Sequence, residues 1–196
     1  PHPIRPAPVH RPNAGVLAPP RRPEFGGCAG NLASNLTLRG DTGLPMATVG
    51  SDFAPYREWM ERTGVPADHI RVLESQLTAQ AFITTDLDDN QITAFHPGAM
   101  MRSHENHVRD VAGIDFGIVS PDGRDGMLQN AVEFAAAGIP FIFDPGPAMP
   151  LFNGAELRAF IEQADYVTVN DYESNLLQER TGWSEKEIAG KVKAYI

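Results

Sequence analysis

The chain has 196 residues, 42% of them hydrophobic and 21% charged, a composition typical of a globular domain with a sizeable core. Its formal net charge of -9 argues against a nucleic-acid partner, because affinity for nucleic acid comes largely from clustered Lys and Arg. Cys28 is the only cysteine, which excludes an intramolecular disulfide, and no apolar run approaches the roughly 20 residues that span a bilayer. These features predict a cytoplasmic protein with no membrane partner.

The first segment, Pro1–Pro23, contains eight prolines, four arginines and no acidic residue. Such a stretch cannot form regular backbone ladders or bury much apolar surface, so residues 1–23 are predicted to be a disordered arm. A proline-rich arm can serve as a ligand for SH3-type domains, although a plain linker explains the same composition. The globular part of the chain is therefore predicted to cover residues 24–196.

A glycine-dense turn opens this globular part. Gly26-Gly27-Cys28-Ala29-Gly30-Asn31 precedes a predicted helix over Leu32–Arg39. Glycines let backbone N–H groups approach the oxygens of a ligand closely, and Asn31 adds a side chain that both donates and accepts hydrogen bonds. The alternative is that the glycines only permit tight packing of a helix on a sheet.

The next two elements are a predicted strand and a predicted helix. Leu44–Val49 has the apolar character of a short buried strand. Ser51-Asp52 is a predicted N-cap for a helix over Ala54–Arg62 that ends at Gly64. The alternation indicates an α/β protein.

A hairpin is predicted in the middle of the chain. The β-prone segments Ala79–Thr85 and Gln91–Phe95 flank the turn-rich connector Asp86–Asn90. The hairpin is expected to form a small lid over about residues 78–98.

The second half of the chain repeats one rhythm of strand and helix. The predicted strands are Phe116–Val119, Pro140–Phe143 and Tyr166–Val169, and the predicted helices are Gly126–Ala137, Ala155–Gln163, Tyr172–Arg180 and the helix-like segment Lys186–Ile196. Such alternation predicts a parallel sheet with right-handed crossovers. Ligands of open parallel sheets bind beyond the carboxyl ends of the strands, so functional residues are expected just after Val119, Phe143 and Val169.

Two of these three loops carry candidate site residues. Asn170 and Glu173 place an amide and a carboxylate one helical turn apart, although a capping box at the start of a helix has the same spacing. Asp144 follows the Phe141–Phe143 stretch, although an Asp-Pro-Gly turn alone would explain it. Both loops are expected to face the same crevice.

The glycine turn and the residues after it resemble the first signature of the ribokinase-like, or PfkB, family of carbohydrate kinases. The resemblance rests on Gly26, Gly27 and Asn31, with Ala33, Gly40 and Gly50 at the matching spacing, and it continues through Val49–Phe53, Gly64-Val65, Thr78–Phe82 and Pro140–Pro145. It implies a three-layer αβα fold with a mostly parallel sheet and a small β lid. Thr78–Phe82 and His96–Ala99 are most similar to bacterial adenosine-kinase-like members.

The resemblance also implies a reaction and its cofactors. Family members use ATP and Mg²⁺ to phosphorylate a hydroxymethyl group, so adenosine is the first expected substrate and ribose or another sugar the second. By resemblance, Gly26, Gly27 and Asn31 contact the substrate, whereas Asn170 and Glu173 arrange the nucleotide phosphates and the metal, with Glu173 nearest the Mg²⁺. Asp144 is a weaker candidate, because the family often has Asn and Arg after this aspartate whereas this chain has Pro147-Ala148-Met149-Pro150. Relatives often pair through lid strands, which implies a homodimer of the intact protein.

Two parts of the family pattern are not found in these 196 residues. One is the Gly-Ala-Gly-Asp turn whose aspartate takes the proton of the substrate hydroxyl, and the other is the first strand with its substrate-binding aspartate. The chain is therefore predicted to be truncated at both ends, to lack the catalytic aspartate, and to be catalytically inactive by itself. The alternatives are a non-catalytic module that binds a sugar or nucleoside, or a mere gene fragment.

Overall fold

The structure is a computed structural model that describes residues 24–86 and 88–196, and the predicted arm over residues 1–23 lies outside this range. The described residues form an α/β fold. The strands are β1 Ala47–Gly50, β2 Ile70–Leu73, β3 Gln80–Thr85, β4 Gln91–His96, β5 Gly117–Val119, β6 Phe141–Phe143, β7 Tyr166–Val167 and β8 Ala194–Tyr195. The α-helices are α1 Cys28–Leu38, α2 Ala54–Thr63, α3 Arg124–Ala137, α4 Gly154–Gln163, α5 Asp171–Thr181 and α6 Glu185–Ala189.

The C-terminal half forms the predicted parallel sheet. Its strand order is β5-β6-β7-β8, with Gly117 opposite Phe141, Ile142 opposite Tyr166, and Tyr166 opposite Ala194. Helices connect each strand to the next, so the carboxyl ends of all four strands lie at one edge of the sheet. The prediction of a parallel sheet in this half is confirmed.

Aromatic side chains fill the core of this half, which we call the C-terminal core. The rings of Phe143 and Phe160 stack with centroids 4.3 Å apart, and Phe152 meets Phe160 edge-on at 5.0 Å. All three side chains are buried, and each such burial is worth roughly 1.5–3 kcal/mol relative to exposure. This core holds strands β5–β7 against helices α3–α5.

The N-terminal half has a smaller core of its own. Strands β1 and β2 pair in parallel, with Ala47 opposite Ile70. The buried residues of this N-terminal core are Ala33 of α1, Val49 of β1, Phe53, Met60 of α2 and Val65. The glycine turn is therefore attached to this core through α1.

Strands β3 and β4 form the predicted antiparallel hairpin, with Gln80 opposite His96 and Thr85 opposite Gln91. Both strands are largely exposed, including Ile83 at 57%, Ile92 at 58% and Phe95 at 54%. A 3₁₀ segment at Gly98–Glu105 follows the hairpin and packs on β1 and α3. Its backbone is held there by the buried hydroxyl of Thr48, which donates to the Ala99 carbonyl at 2.6 Å.

The ends of three predicted elements differ in the structure. Helix α1 starts at Cys28 rather than Leu32, so the glycine turn supplies the first helical residues. Ser51-Asp52 does not cap α2, because the N-cap is Phe53 and the Asp52 carboxylate instead accepts a hydrogen bond from the Thr78 N–H. The strand predicted over Leu44–Val49 is shorter and ends one residue later, at Gly50.

The prediction of a helix over Lys186–Ile196 was wrong. Helix α6 ends at Ala189, and β8 follows it. Lys193 N–H donates to the Asp165 carbonyl at 2.7 Å, and Ile196 N–H donates to the Val167 carbonyl at 2.9 Å. Pairing with β7 therefore overrides the helical tendency of this segment. Across residues 24–86 and 88–196, no helix has the length and apolar character needed to cross a membrane.

Candidate active site

The glycine turn presents backbone N–H groups at the start of α1. Gly27 has φ 96° and ψ 155°, a conformation that is essentially restricted to glycine. Its carbonyl accepts from the Asn31 N–H at 2.9 Å, and no side chain caps the helix. The N–H groups of the first turn are therefore suited to receive the oxygens of a ligand.

Asn31 lies beside Gly26. A Cβ added to Gly26 would lie 3.8 Å from Asn31 Oδ1 and 3.9 Å from Nδ2, so the side-chain amide runs alongside the turn. Asn31 is exposed, as are Gly26 and Gly27. The structure thus brings the three predicted substrate-binding residues together on an accessible surface.

Asp144 follows β6 at the carboxyl edge of the sheet. Its backbone N–H donates to the Val119 carbonyl at 2.9 Å, which ties it to the end of the neighbouring strand β5. Its side chain is half-buried. Burial raises the pKa of the Asp144 carboxyl, and the negative charge of Glu173 raises it further.

Asn170 and Glu173 form a capping box at the start of α5. The Asn170 N–H donates to Glu173 Oε2 at 3.1 Å, and the Glu173 N–H donates to Asn170 Oδ1 at 2.9 Å. The capping role that the spacing allows is therefore present. In the described part of the chain, Glu173 Oε1 accepts no hydrogen bond, so that oxygen can still contact a ligand.

Electrostatic coupling connects the glycine turn to the carboxyl ends of the strands. Burial raises the pKa of the Cys28 thiol, and the carboxylates of Asp144 and Asp122 raise it further. Asp144 is coupled in the same way to Glu173. Because such coupling falls with distance, Cys28 of the turn lies on the same side of the molecule as Asp144, and Asp144 lies near Glu173.

Asp122 was missed by the sequence analysis. It lies in the loop after β5, the third of the loops expected to carry function. Desolvation raises its pKa to about 6, although hydrogen bonds from the Gly123 N–H and the Ser103 hydroxyl lower it in part. The signal in the sequence was its place after a buried strand, but adjacent residues do not reveal its hydrogen bond from Ser103, 19 positions earlier in the chain.

A cavity of about 460 Å³ adjoins Asn170 at the ends of β7 and β8. Its lining is mostly polar and includes Asp171, Ser174 and Gln178 of α5. The Tyr195 hydroxyl donates to Ser174 Oγ at 2.7 Å across its wall. The volume lies in the range of small-molecule sites.

The donor chemistry at the carboxyl edge of the sheet fits Mg²⁺. Asp144 and Glu173 supply carboxylate oxygens, which are the ligands that this hard cation prefers, and Mg²⁺ usually keeps several waters and phosphate oxygens as its other ligands. No three His, Cys, Asp or Glu side chains of residues 24–86 and 88–196 are grouped to hold a metal by themselves. The two carboxylates therefore fit a metal that takes its remaining ligands from outside the described residues.

The chain matches the model of one family of enzymes. A family model described as pfkB family carbohydrate kinase matches residues 7–195. This match starts within the segment that the sequence analysis predicts to be a disordered arm.

Two relatives are nucleoside kinases of archaea. The enzyme of Methanocaldococcus jannaschii is 29% identical over 175 residues, which are 85% of this chain and 56% of that protein. The enzyme of Methanothermobacter thermautotrophicus is 29% identical over 169 residues, which are 83% of this chain and 54% of that protein. The chain thus spans a little over half the length of these relatives.

Solved structures show a stronger similarity. Burkholderia thailandensis nucleoside kinase in complex with inosine has 54% sequence identity and a TM-score of 0.90, over 94% of this chain and 61% of that one. The same enzyme in complex with ADP-inosine has 54% identity and a TM-score of 0.88, over 98% of this chain and 61% of that one. These matches show that the chain has an incomplete ribokinase fold.

Proposed function

The chain belongs to the pfkB family of carbohydrate kinases, and we propose that the intact protein uses ATP and Mg²⁺ to phosphorylate the hydroxymethyl group of a nucleoside. The observation that carries this proposal is the glycine turn, with uncapped N–H groups at the start of α1, which we propose to share one cleft with Asp144 and Glu173 at the carboxyl edge of the sheet. The 54% identity to an enzyme whose structures include complexes with inosine and with ADP-inosine supports it.

The proposed substrate class is a purine nucleoside. Adenosine is the first candidate from the sequence, and the B. thailandensis complex with inosine supports inosine as an equal test compound. Ribose or another free sugar is the second class. The choice between them depends on contacts to the base, which a free sugar lacks.

The proposed binding mode divides the cleft into two sides. The N–H groups of the glycine turn at Gly26 and Gly27, with the Asn31 amide, hold the hydroxyls of the substrate. Asn170 and Glu173 orient the phosphates and the Mg²⁺, to which Asp144 contributes a second carboxylate. Bound Mg²⁺ would neutralise charge on the phosphates, and the residues of this chain would hold the acceptor hydroxyl next to them.

The proton-accepting step requires a residue that we do not find here. Family resemblance assigns it to the aspartate of a Gly-Ala-Gly-Asp turn, and the 196 residues contain no such turn. Losing a general base and an anion hole lowers a rate by roughly 10⁴- to 10⁷-fold. We therefore propose that this polypeptide alone binds the nucleoside but does not phosphorylate it.

A non-catalytic binding module is the second candidate function. It is favoured by the presence of the glycine turn without the catalytic turn. A mere gene fragment would show neither binding nor catalysis.

Calorimetric titration and a phosphorylation assay test these proposals together. We expect adenosine or inosine to bind the purified chain more tightly than ribose, with no measurable ATP-dependent phosphorylation. Turnover on the order of 1 per second would contradict the proposed inactivity. Absence of any binding would contradict the proposed nucleoside site.

The oligomeric state and the cellular compartment of the intact protein are also proposals. The exposed side chains of Ile83, Ile92 and Phe95 on the hairpin support a homodimer of the intact protein through its lid. The reaction needs a supply of ATP, and the chain has one free cysteine, so we propose the cytoplasm as its compartment.

A further inference from the structure

Tyr56 contacts the glycine turn from the second helix. It lies in the first turn of α2, and its hydroxyl donates to the Gly26 carbonyl at 2.9 Å. Its ring stacks on the ring of Phe25, with centroids 4.7 Å apart and planes 14° from parallel. One side chain therefore holds two consecutive residues at the start of the turn.

The hydrogen bond to Gly26 sets the direction of the next N–H group. No peptide bond of the described residues is cis, and in a trans peptide the C=O and the following N–H point in opposite directions. Since the Gly26 carbonyl points at the Tyr56 hydroxyl, the Gly27 N–H points away from α2. Tyr56 therefore controls the orientation of a donor that it does not touch.

Gly30 supplies the space for this contact. A Cβ added there would lie 2.0 Å from the Tyr56 hydroxyl oxygen and 3.2 Å from Cζ, which no real structure tolerates without movement. The absence of a side chain at Gly30 is thus explained by Tyr56. At Gly27, in contrast, an added Cβ would meet nothing within 4 Å, and the backbone conformation is the constraint.

Tyr56 remains a donor at ordinary pH. It is half-buried, and burial raises the pKa of its hydroxyl above the usual value of 10.0. Its donated hydrogen bond is therefore present throughout the range in which a kinase would work.

We propose that Tyr56 is a positioning residue for nucleoside binding, which aims the Gly27 N–H away from α2 and toward the proposed nucleoside site by holding the Gly26 carbonyl. This inference rests on the proposed nucleoside site. In this proposal Tyr56 acts through its contact with Gly26, on the substrate side of the proposed cleft.

The first test is Tyr56→Phe, which keeps the ring and removes the hydroxyl. We expect affinity for inosine and adenosine, measured by calorimetry, to fall about 3- to 10-fold, with affinity for ADP unchanged. Tyr166→Phe is the matched control, because it removes a hydroxyl from β7, away from the turn, and should leave nucleoside affinity unchanged. Equal nucleoside affinity of Tyr56→Phe and the unaltered chain would overturn the inference.

A second measurement does not depend on nucleoside binding. In the unliganded chain, the ¹H–¹⁵N signal of Gly27 should shift in Tyr56→Phe and stay in place in Tyr166→Phe. An unshifted Gly27 signal would overturn the positioning role, whatever the affinity. If the unaltered chain binds no nucleoside while Gly27 shifts, the proposed function has failed and the control of Gly27 by Tyr56 stands.

A double-mutant cycle of Gly30→Ala and Tyr56→Phe tests whether the Tyr56 hydroxyl is what excludes a side chain at Gly30. Gly30→Ala should lower the unfolding free energy less in the Tyr56→Phe background than in the unaltered chain, because the nearest clashing atom is gone. Equal losses in the two backgrounds would contradict the assignment of Gly30 to Tyr56.

Discussion

The carboxylate of Asp52 accepts hydrogen bonds from both the backbone N–H and the hydroxyl of Thr78, over distances of 2.8 and 2.7 Å. Its second oxygen accepts from Gln80 Nε2 at 3.1 Å, at the first residue of the hairpin. The Thr78 hydroxyl in turn accepts from the Gly50 N–H at 3.0 Å. The base of the hairpin is therefore joined to the end of β1 through one carboxylate.

Replacing Asp52 should loosen the hairpin. Asp52→Ala is expected to lower the unfolding free energy by about 1 kcal/mol, because three donors lose their acceptor in an exposed setting. Hydrogen exchange should accelerate in β3 and remain unchanged in β6. Asp52→Asn, which keeps an acceptor oxygen, should show a smaller effect, and equal exchange in β3 for Asp52→Ala and the unaltered chain would contradict this role.

The stability that the hydrogen bonds between Asp52 and Thr78 contribute should depend on pH. Burial raises the pKa of Asp52, but hydrogen bonds from the Thr78 hydroxyl and N–H outweigh it, so the net pKa lies below the usual 3.8. A carboxyl whose pKa is lower in the folded state stabilises the fold above the unfolded pKa. We expect this contribution to be lost as the pH falls below about 4, and Asp52→Ala should lack that part of the acid sensitivity.

The contribution of Asp122 to stability changes with pH in the opposite direction. Its pKa is raised from 3.8 to about 6, so ionisation is penalised in the folded state. Its contribution to stability is most favourable below pH 3.8 and is lost as the pH rises through about 6. Asp122→Asn should therefore be more stable than the unaltered chain at pH 8, by up to about 3 kcal/mol, and no more stable at pH 3.5. Urea denaturation at both pH values measures this difference, and equal stability at pH 8 would contradict it.

Gly27→Ala should separate backbone strain from ligand binding. The substitution has free space but forces an unfavourable backbone conformation, so we expect a loss of about 1–3 kcal/mol in unfolding free energy and weaker nucleoside binding. Gly138→Ala is the control, since Gly138 also has a positive φ, at 69°, with open space around it, but lies at the end of α3. Gly138→Ala should lower the unfolding free energy by about 1 kcal/mol and leave the nucleoside affinity unchanged. Unchanged nucleoside affinity in Gly27→Ala would contradict a binding role for the turn.

Glu173→Gln tests the proposed metal side of the cleft. Glutamine can replace glutamate in a capping box, so helix α5 should keep its N-terminal hydrogen bonds while one negative charge is lost. We expect Mg²⁺-dependent binding of ADP to weaken about tenfold, with Mg²⁺-free binding and thermal stability nearly unchanged. The pKa of Asp144 should fall, because Glu173 raises it. Equal ADP affinity with Mg²⁺ would contradict a metal-associated role for Glu173.

Local patterns predicted the C-terminal sheet and the glycine turn, because apolar runs and glycine spacing are properties of short segments. Interactions between distant segments account for the errors. Asp52 looked like a cap until Thr78, 26 positions later, proved to be its donor. Residues 194–195 form a strand because β7 is available to pair with them. The hydrogen bond from Ser103 to Asp122 likewise joins distant segments, and adjacent sequence does not reveal it.

The presence of two separate hydrophobic cores affects how the cleft can work. The glycine turn is anchored to the N-terminal core, whereas Asp144 and Glu173 extend from the elements of the C-terminal core. The 3₁₀ segment at Gly98–Glu105 packs on β1 of the N-terminal half and on α3 of the C-terminal half, so one segment holds the two halves together. The spacing between the two halves of the proposed cleft therefore depends on this segment.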